Sequence, residues 1–132
     1  ALSSLKKILP SNPNTADTIP YTLSNAIELA PEALGSSSIG PWGTGTIGWV
    51  YKTIVEGLLG IRLSYGGFKT EPAFPSEWDN ASISIQRENT VYHFTINNKH
   101  AGKQTTIVNG QVTENNFIPF SNDTDVNIEI DL

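Results

Sequence analysis

The chain reads Trp42-Gly43-Thr44-Gly45-Thr46-Ile47-Gly48-Trp49 and continues without a break into a segment with helical periodicity. Apolar residues recur at steps of three and four over residues 46–59, which predicts one long helix. Trp49 and Leu59 widen its apolar stripe, so we expect the helix to be buried on most of its sides. Gly60 stands where a C-terminal cap is expected, and after it the apolar period changes to that of a strand.

Alternating apolar and polar residues predict strands after Gly60. The alternation is clearest in Ser82-Ile83-Ser84-Ile85 and in Val126-Asn127-Ile128-Glu129-Ile130. Asn109-Gly110 is the strongest hairpin signal in the chain. The strands predicted in this way cover residues 68–74, 81–87, 90–97, 104–108, 110–114 and 125–131. Short strands at this spacing favour an antiparallel sheet or a small antiparallel β-sandwich over residues 61–132.

The first part of the chain is predicted to be helical with long loops. Apolar spacing predicts helices over residues 1–9 and 21–30, and runs of Pro, Asn, Thr, Ser and Gly predict loops over residues 10–20 and 35–43. The predicted fold class is therefore α+β, divided at Gly60. The chain starts at Ala1, and its first residues read as the end of a helix, so we expect a piece of a longer protein.

Composition narrows the class of function. The chain has 132 residues, a net charge of −5 and no cysteine. An acidic chain is a poor partner for nucleic acid or an anionic membrane, and disulfides and thiolate metal sites are excluded. The sequence contains no apolar run of about 18–20 residues that could span a bilayer and no signal-peptide pattern, so we expect a cytoplasmic protein.

Thr44 and Gly45 form the corner at which the long helix is predicted to begin. Backbone N–H groups without helical partners and the positive end of the helix dipole favour an anion there, phosphate above all. Glycine permits close approach of a ligand, and the hydroxyls of Thr44 and Thr46 add donors. The alternative is an ordinary capped helix start.

Three tryptophans are candidate sugar contacts. Trp42 and Trp49 flank the Thr-Gly corner and could enclose it or stack on a sugar ring, and Trp42 is preferred to Trp78 as the sugar contact because it lies beside the corner. Trp78 is the third candidate, although packing of the strand-rich part onto the helices is the favoured interpretation.

Five titratable residues are candidates for a metal site or an acid pair. His93 and His100 are too few for a metal site and fall in or beside strands, so surface or interstrand histidines are favoured and no metal site is assigned. Glu71, Glu77 and Asp79 are close in sequence and could imitate the carboxylate pair of a glycosidase, but solvated acids are the preferred interpretation.

Several motifs occur in a fixed order. They read WGTGTIGW at 42–49, LLGIRL at 58–63, YGGFKTEPAFPSEW at 65–78, QRENTVYHFTIN at 86–97 and VNGQVTENNFIPF at 108–120. In this order they resemble the C-terminal region of the cellobiose and chitobiose phosphorylases, glycoside hydrolase family 94. The family patterns are approximately W-x-T-G-[TS]-A-x-W, L-G-I-R-P and Y-D-G-L-x-I-D-P-x-I-P-x-x-W.

The resemblance implies a longer enzyme with an (α/α)6 catalytic barrel and a small C-terminal β-sandwich. Residues 1–60 would be the last barrel helices, and residues 61–132 the sandwich. The family cleaves a β-linked disaccharide by inverting phosphorolysis: an Asp protonates the glycosidic oxygen while inorganic phosphate attacks the anomeric carbon, which gives a sugar 1-phosphate. Thr44 and Gly45 match the family's Thr-Gly pair, which is part of the phosphate site.

The resemblance also implies a co-substrate and partners, and it indicates which catalytic residues this chain lacks. Phosphate is a co-substrate and no cofactor is implied; the expected partners are the rest of the barrel, carbohydrate and, for the parent enzyme, a second subunit. The general acid has no counterpart in residues 1–40, so no catalytic residue is assigned and the chain alone is expected to be inactive. Gly43, Ile47, Leu63 and Gly66 depart from the family pattern. The alternative function is a non-catalytic β-sandwich module, structural or carbohydrate-binding.

Overall fold

The computed structural model describes residues 2–9, 23, 26–29, 36–39, 45–113 and 115–132. The chain divides into two compact units, residues 1–53 and residues 54–132. Within the described ranges, no helix is both long and apolar enough to cross a bilayer.

Among its described residues, the first unit has two short helices and a two-stranded sheet. Helix α1 spans Leu2–Ile8, as the apolar spacing predicts, and helix α2 spans Thr46–Lys52. Strands β1 (Ala26–Leu29) and β2 (Ser36–Ile39) pair antiparallel, with Ala26 opposite Ile39.

The short helix predicted over residues 21–30 is wrong where the structure describes it, because residues 26–29 form β1. So is the loop predicted over residues 35–43, since residues 36–39 form β2. A run as short as residues 26–29 fits helical and strand periods alike. The antiparallel partner satisfies the backbone instead.

The long helix of residues 46–59 is confirmed in position but not in regularity. After α2 the chain continues as a π-helix over Thr53–Leu58, in which Leu59 N donates to Ile54 O at 2.9 Å. Gly60 follows with φ +67°, the left-handed conformation expected of a C-terminal cap.

The expectation that this helix is buried on most sides is wrong. Ile47, Trp49 and Tyr51 of α2 are 62%, 72% and 56% exposed. Val55 and Leu59, by contrast, belong to the core of the second unit. The physical reason is the division of the chain, because the π-helical part packs within the second unit whereas α2 belongs to the first.

The second unit is built from eight strands in two sheets. The strands are β3 (Ile61–Ser64), β4 (Gly67–Thr70), β5 (Asn80–Arg87), β6 (Thr90–Asn97), β7 (Thr105–Val108), β8 (Gln111–Thr113), β9 (Phe117–Pro119) and β10 (Asp125–Asp131). One sheet has the order β5-β6-β10-β7-β8 and the other the order β3-β4-β9. All the predicted strands are present, and β3 and β9 are additional.

The larger sheet is mixed, which corrects the prediction of a purely antiparallel arrangement. Strand β10 pairs parallel with β6 and antiparallel with β7. The chain leaves the large sheet after β8 and adds β9 to the small sheet. It then returns to the large sheet as β10, which lies between the β5–β6 hairpin and the β7–β8 hairpin. That crossover sets the direction of β10, and no local sequence pattern encodes it.

The core lies between the two sheets. Phe68 of β4 places its ring 5.0 Å from that of Tyr92 and 5.5 Å from that of Phe94, both in edge-to-face geometry. Tyr92 and Phe94 both belong to β6 of the other sheet. Every second residue of β6 and β10 is buried. The arrangement is that of a small β-sandwich with a mixed sheet.

Candidate functional site

The start of α2 is the part of the predicted anion site that the structure describes. Gly45 is the N-cap of α2, with φ −84° and ψ −29°, and its carbonyl accepts a hydrogen bond from Trp49 N at 3.1 Å. Gly45 is exposed. Thr44 and Trp42 lie outside the described residues, so the structure leaves their predicted roles as predictions.

The backbone conformation at position 45 does not require a glycine. Its φ is negative, and a Cβ placed on it would meet Trp49 Cδ1 at 3.8 Å, an ordinary contact distance. In general, N–H groups in the first turn of a helix lack acceptors within the helix, and in α2 these include the N–H groups of Ile47 and Gly48. The chemistry available at this corner is therefore hydrogen-bond donation from the backbone, beside an exposed indole.

Trp49 is the aromatic ring that the structure places at this corner, and the sequence gives it two interpretations, as part of the apolar stripe and as a ring that flanks the turn. Its side chain is 72% exposed and lies one helical turn after Gly45. Residues four apart on a helix share a face, which places the Trp49 ring on the side of Gly45. Its role as a sugar contact stays a prediction.

Trp78 packs inside the second unit. Its ring lies 5.6 Å from that of Phe74 in edge-to-face geometry, and its carbonyl accepts a hydrogen bond from Asn98 Nδ2 at 3.1 Å. One side borders an open groove of about 490 Å³ lined by Trp78, Asp79, Asn80 and Ala81. The described ring contact is thus structural, and the predicted packing of Trp78 onto helices stays a prediction.

The acidic residues near Trp78 are solvated, as predicted. Glu71, Glu77 and Asp79 are all exposed, and Glu71 Oε2 lies 3.5 Å from Arg62 Nη1 in an exposed ion pair. None of these acids is enclosed with another in the way that glycoside hydrolysis requires.

His93 is an interstrand histidine, which confirms the preferred interpretation. Its Nδ1 lies 3.0 Å from Ser84 Oγ on β5, and its Nε2 lies 3.1 Å from Asp125 Oδ1 on β10. The hydrogen bond with His93, helped by one from Thr124, lowers the pKa of Asp125 below its usual value. The three side chains lie on the solvent-facing side of the large sheet, where water screens them, so they link strands rather than activate the serine.

No metal site is formed by the side chains that the structure describes. His100 is exposed at a left-handed turn with φ +54°. Across the described ranges, no group of three or more His, Cys, Asp or Glu residues is close enough to hold a metal ion.

A second groove lies at the β3–β4 turn, and no sequence pattern predicts it. It measures about 440 Å³ and is lined by Leu63, Ser64, Tyr65, Gly66, Arg87 and Phe120. Tyr65 is fully exposed at the tip of the hairpin. The guanidinium carbon of Arg87 lies 3.8 Å from the centre of the Phe120 ring, a cation–π contact that fixes the charge beside the groove.

Three curated relatives show what the chain is similar to. It is 29% identical over 77 residues to the N,N'-diacetylchitobiose phosphorylase of Vibrio furnissii, which covers 56% of this chain and 10% of the relative. It is 25% identical over 140 residues to the solabiose phosphorylase of Paenibacillus borealis, which covers 100% of this chain and 18% of the relative. It is 35% identical over 75 residues to the cyclic β-(1,2)-glucan synthase of Rhizobium meliloti, which covers 56% of this chain and 3% of the relative.

No protein-family model matches the chain. The chain spans only between 3% and 18% of the length of these three relatives. The similarity to phosphorylases confirms the resemblance predicted from the order of the motifs. The glucan synthase shows that such similarity also extends to an enzyme named for synthesis of a β-linked glucan.

Proposed function

We propose that this chain is the C-terminal part of an inverting glycoside phosphorylase, and that Thr44 and Gly45 contribute to its phosphate site. The observation that carries the proposal is the similarity to the diacetylchitobiose and solabiose phosphorylases, together with the Thr-Gly sequence at the start of α2. Phosphate would act as co-substrate, and the proposal includes the cytoplasmic location expected from the sequence.

The exposed apolar side chains on more than one side of α2 support a longer parent. Ile47, Trp49 and Tyr51 are all more than half exposed, whereas helices that are apolar on most sides are normally buried. Further helices of an (α/α)6 barrel would cover such a surface. The assignment of residues 1–60 to that barrel, and of residues 61–132 to its sandwich, is part of the same proposal.

The chemistry proposed for the corner is binding, not proton transfer. In an inverting hydrolase a general base activates water, whereas in phosphorolysis the phosphate oxygen is already a nucleophile. The pocket must supply donors, which the first N–H groups of α2 and the hydroxyl of Thr44 offer. The general acid would come from the rest of the barrel, so the chain alone would not turn over substrate.

Trp42 and Trp49 are the proposed sugar contacts beside that corner. An indole next to a phosphate site can stack on the apolar face of a pyranose ring while the phosphate approaches its anomeric carbon. Trp49 is the more directly supported, because its exposed ring lies beside Gly45.

The test is Thr44→Val in the longer enzyme, assayed with inorganic phosphate and a panel of β-linked disaccharides. Loss of one hydrogen bond to a charged group should raise the KM for phosphate, or lower kcat, by about 10–100-fold. Thr53→Val is the matched control, because its hydroxyl donates to Trp49 O at 2.8 Å at the other end of α2. Unchanged phosphate kinetics in Thr44→Val would remove the corner from the phosphate site.

A second candidate function rests on the groove at the β3–β4 turn. A fully exposed Tyr65 beside the fixed charge of Arg87 is an arrangement that a carbohydrate-binding module could use. Titration of the 132-residue chain with β-glucan oligosaccharides separates the two functions. Binding by the isolated chain would favour the module, whereas binding that requires the longer enzyme would favour the phosphorylase.

A further inference from the structure

Strand β5 forms one edge of the large sheet along its whole length. It has eight residues, and no strand in the described part of the chain pairs with its outer side. The opposite edge is β8, which has only three residues. Long open edges are sites where further strands add to a sheet, and most proteins shorten or charge them.

The backbone groups at this edge can be identified from the register. Asn98 N donates to Asp79 O at 2.8 Å, which makes this a hydrogen-bonded pair of the β5–β6 ladder. Hydrogen-bonded pairs recur every second residue in an antiparallel ladder, so the odd-numbered residues of β5 bond to β6. The N–H and C=O groups of Asn80, Ser82, Ser84 and Gln86 therefore face the outer side.

The sequence of β5 does not protect this edge. Residues 80–86 contain neither a charged residue nor a proline, the two commonest features that block edge pairing. Ile83 and Ile85 pack against the core but remain half-buried. A strand added here would satisfy the outer backbone groups and cover both isoleucines.

We propose that β5 pairs antiparallel with β5 of a second copy of this chain, with Ile83 opposite Ile83 of the partner subunit. In this register the core-facing residues of both copies lie on one face of the joined sheet, and the solvent-facing residues of both copies lie on the other face. Asp79 then lies opposite the partner's Arg87, and Arg87 opposite the partner's Asp79, so opposite charges meet at both ends.

Both neighbouring registers are less favourable. Centring the two-fold axis on Ser82 shortens the overlap of the two strands to residues 80–84. Centring the two-fold axis on Ser84 places Arg87 opposite the partner's Ala81 and Glu88 opposite the partner's Asn80, with no complementary charge. In the proposed register Asp79, which helps to line the open groove beside Trp78, lies opposite the partner's Arg87. Both copies use the same surface, as a two-fold interface requires.

Sedimentation of the 132-residue chain over a concentration series tests the pairing. A reversible dimer is expected. Ser82→Pro should raise the dissociation constant of this dimer by about tenfold or more, because the proline removes an outward N–H and obstructs the pairing. Val112→Pro is the matched control, because its N–H faces the outer side of β8, the other edge of the same sheet. A monomer at all concentrations, or equal effects of the two prolines, would overturn the proposal.

Charge exchange tests the register. Asp79→Arg and Arg87→Glu should each weaken the dimer, because like charges then meet at both ends. When the two variants are mixed, every contact again joins opposite charges, so a mixed dimer should form at the affinity of the unaltered chain. Failure of the mixture to associate would show that these residues do not face each other, whether the unaltered chain pairs elsewhere or another strand occupies the edge.

Discussion

Individual glycines decide where the second unit can turn. Gly60 has φ +67°, and a Cβ on it would lie 2.1 Å from Glu71 O, where the backbone of the segment after β4 crosses the end of the π-helix. Gly66 has φ +78° at the β3–β4 turn, with nothing within 4 Å of such a Cβ. The resembled family has Asp at the position of Gly66, and Asp is among the residues that tolerate a left-handed backbone. That departure therefore preserves the turn.

Replacing these two glycines separates conformational strain from steric overlap. Gly66→Ala should lower the free energy of unfolding by about 1–2 kcal/mol, the cost of a left-handed alanine. Gly60→Ala carries the same cost plus a clash with backbone, so its loss should exceed about 4 kcal/mol or prevent folding. Urea denaturation of both variants provides the measurement. Similar losses at the two positions would show that the backbone at Glu71 moves aside.

At the scale of elements, the sequence predicts strands better than helices. Strands β5, β6 and β10 were predicted to within a residue, because one face of each is buried and the other is solvated. Strand β9 has three residues, too few for its alternation to be recognised. The π-helical turn over Thr53–Leu58 has no periodic signature of its own, so a regular α-helix was predicted there.

Asp131 joins the end of β10 to β6 and to the loop after it. Its Oδ1 accepts from Asn97 Nδ2 at 3.0 Å, and its Oδ2 from Lys99 Nζ at 2.7 Å. The bond from Lys99, and next that from Asn97, lower the pKa of Asp131 below its usual value of 3.8. Because the folded state favours the ionised carboxylate, this contribution to stability is present above the unfolded pKa and is lost as the pH falls through the folded pKa.

Asp131→Asn should therefore be less stable than the unaltered chain at pH 7. The difference should shrink as the pH falls below about 4, where the carboxylate of the unaltered chain becomes protonated. Urea denaturation from pH 7 to pH 3 follows this difference. Glu129→Gln on the same strand is the control, because the structure describes no ion pair for that side chain. A difference for Asp131→Asn that does not vary with pH would contradict the role of the charge.

At the scale of the whole second unit, one side chain spans the two sheets. Gln104 Nε2 lies 3.1 Å from Thr70 Oγ1 and 3.2 Å from Thr70 O on the small sheet, and 3.3 Å from Thr106 Oγ1 on the large one. Both threonines are buried. Polar atoms in such a position must be paired, since leaving one without a partner costs as much as several surface contacts contribute.

Gln104→Ala should lower the free energy of unfolding by about 1–3 kcal/mol, because buried threonine oxygens lose their donor. Gln111→Ala, at an exposed position of β8, should change it by less than about 0.5 kcal/mol. Chemical denaturation of the two variants side by side gives the comparison. If their stabilities are equal, the sheets are held together by the apolar core alone.

The candidate site was predicted less completely than the fold. The helix start at Gly45 was found from glycine and threonine before a helical run, yet Trp49 was assigned to a buried stripe. That error has a physical cause. The sequence pattern shows that a side chain is apolar, but it does not show whether the surface that buries it belongs to this chain or to another. The groove at Tyr65 was missed because it joins residues 63–66 with Arg87 and Phe120, which only the sheet topology brings together.

The insertion of β10 between β6 and β7 constrains how this unit folds. The hairpins β5–β6 and β7–β8 can each form locally, but they are not neighbours in the sheet and cannot join until residues 125–131 arrive between them. Closure of the sheet thus requires long-range contacts, which carry a larger loop-closure entropy than the local hairpins. A truncation before residue 125 would leave two unconnected hairpins with bare edges, a state open to aggregation during synthesis.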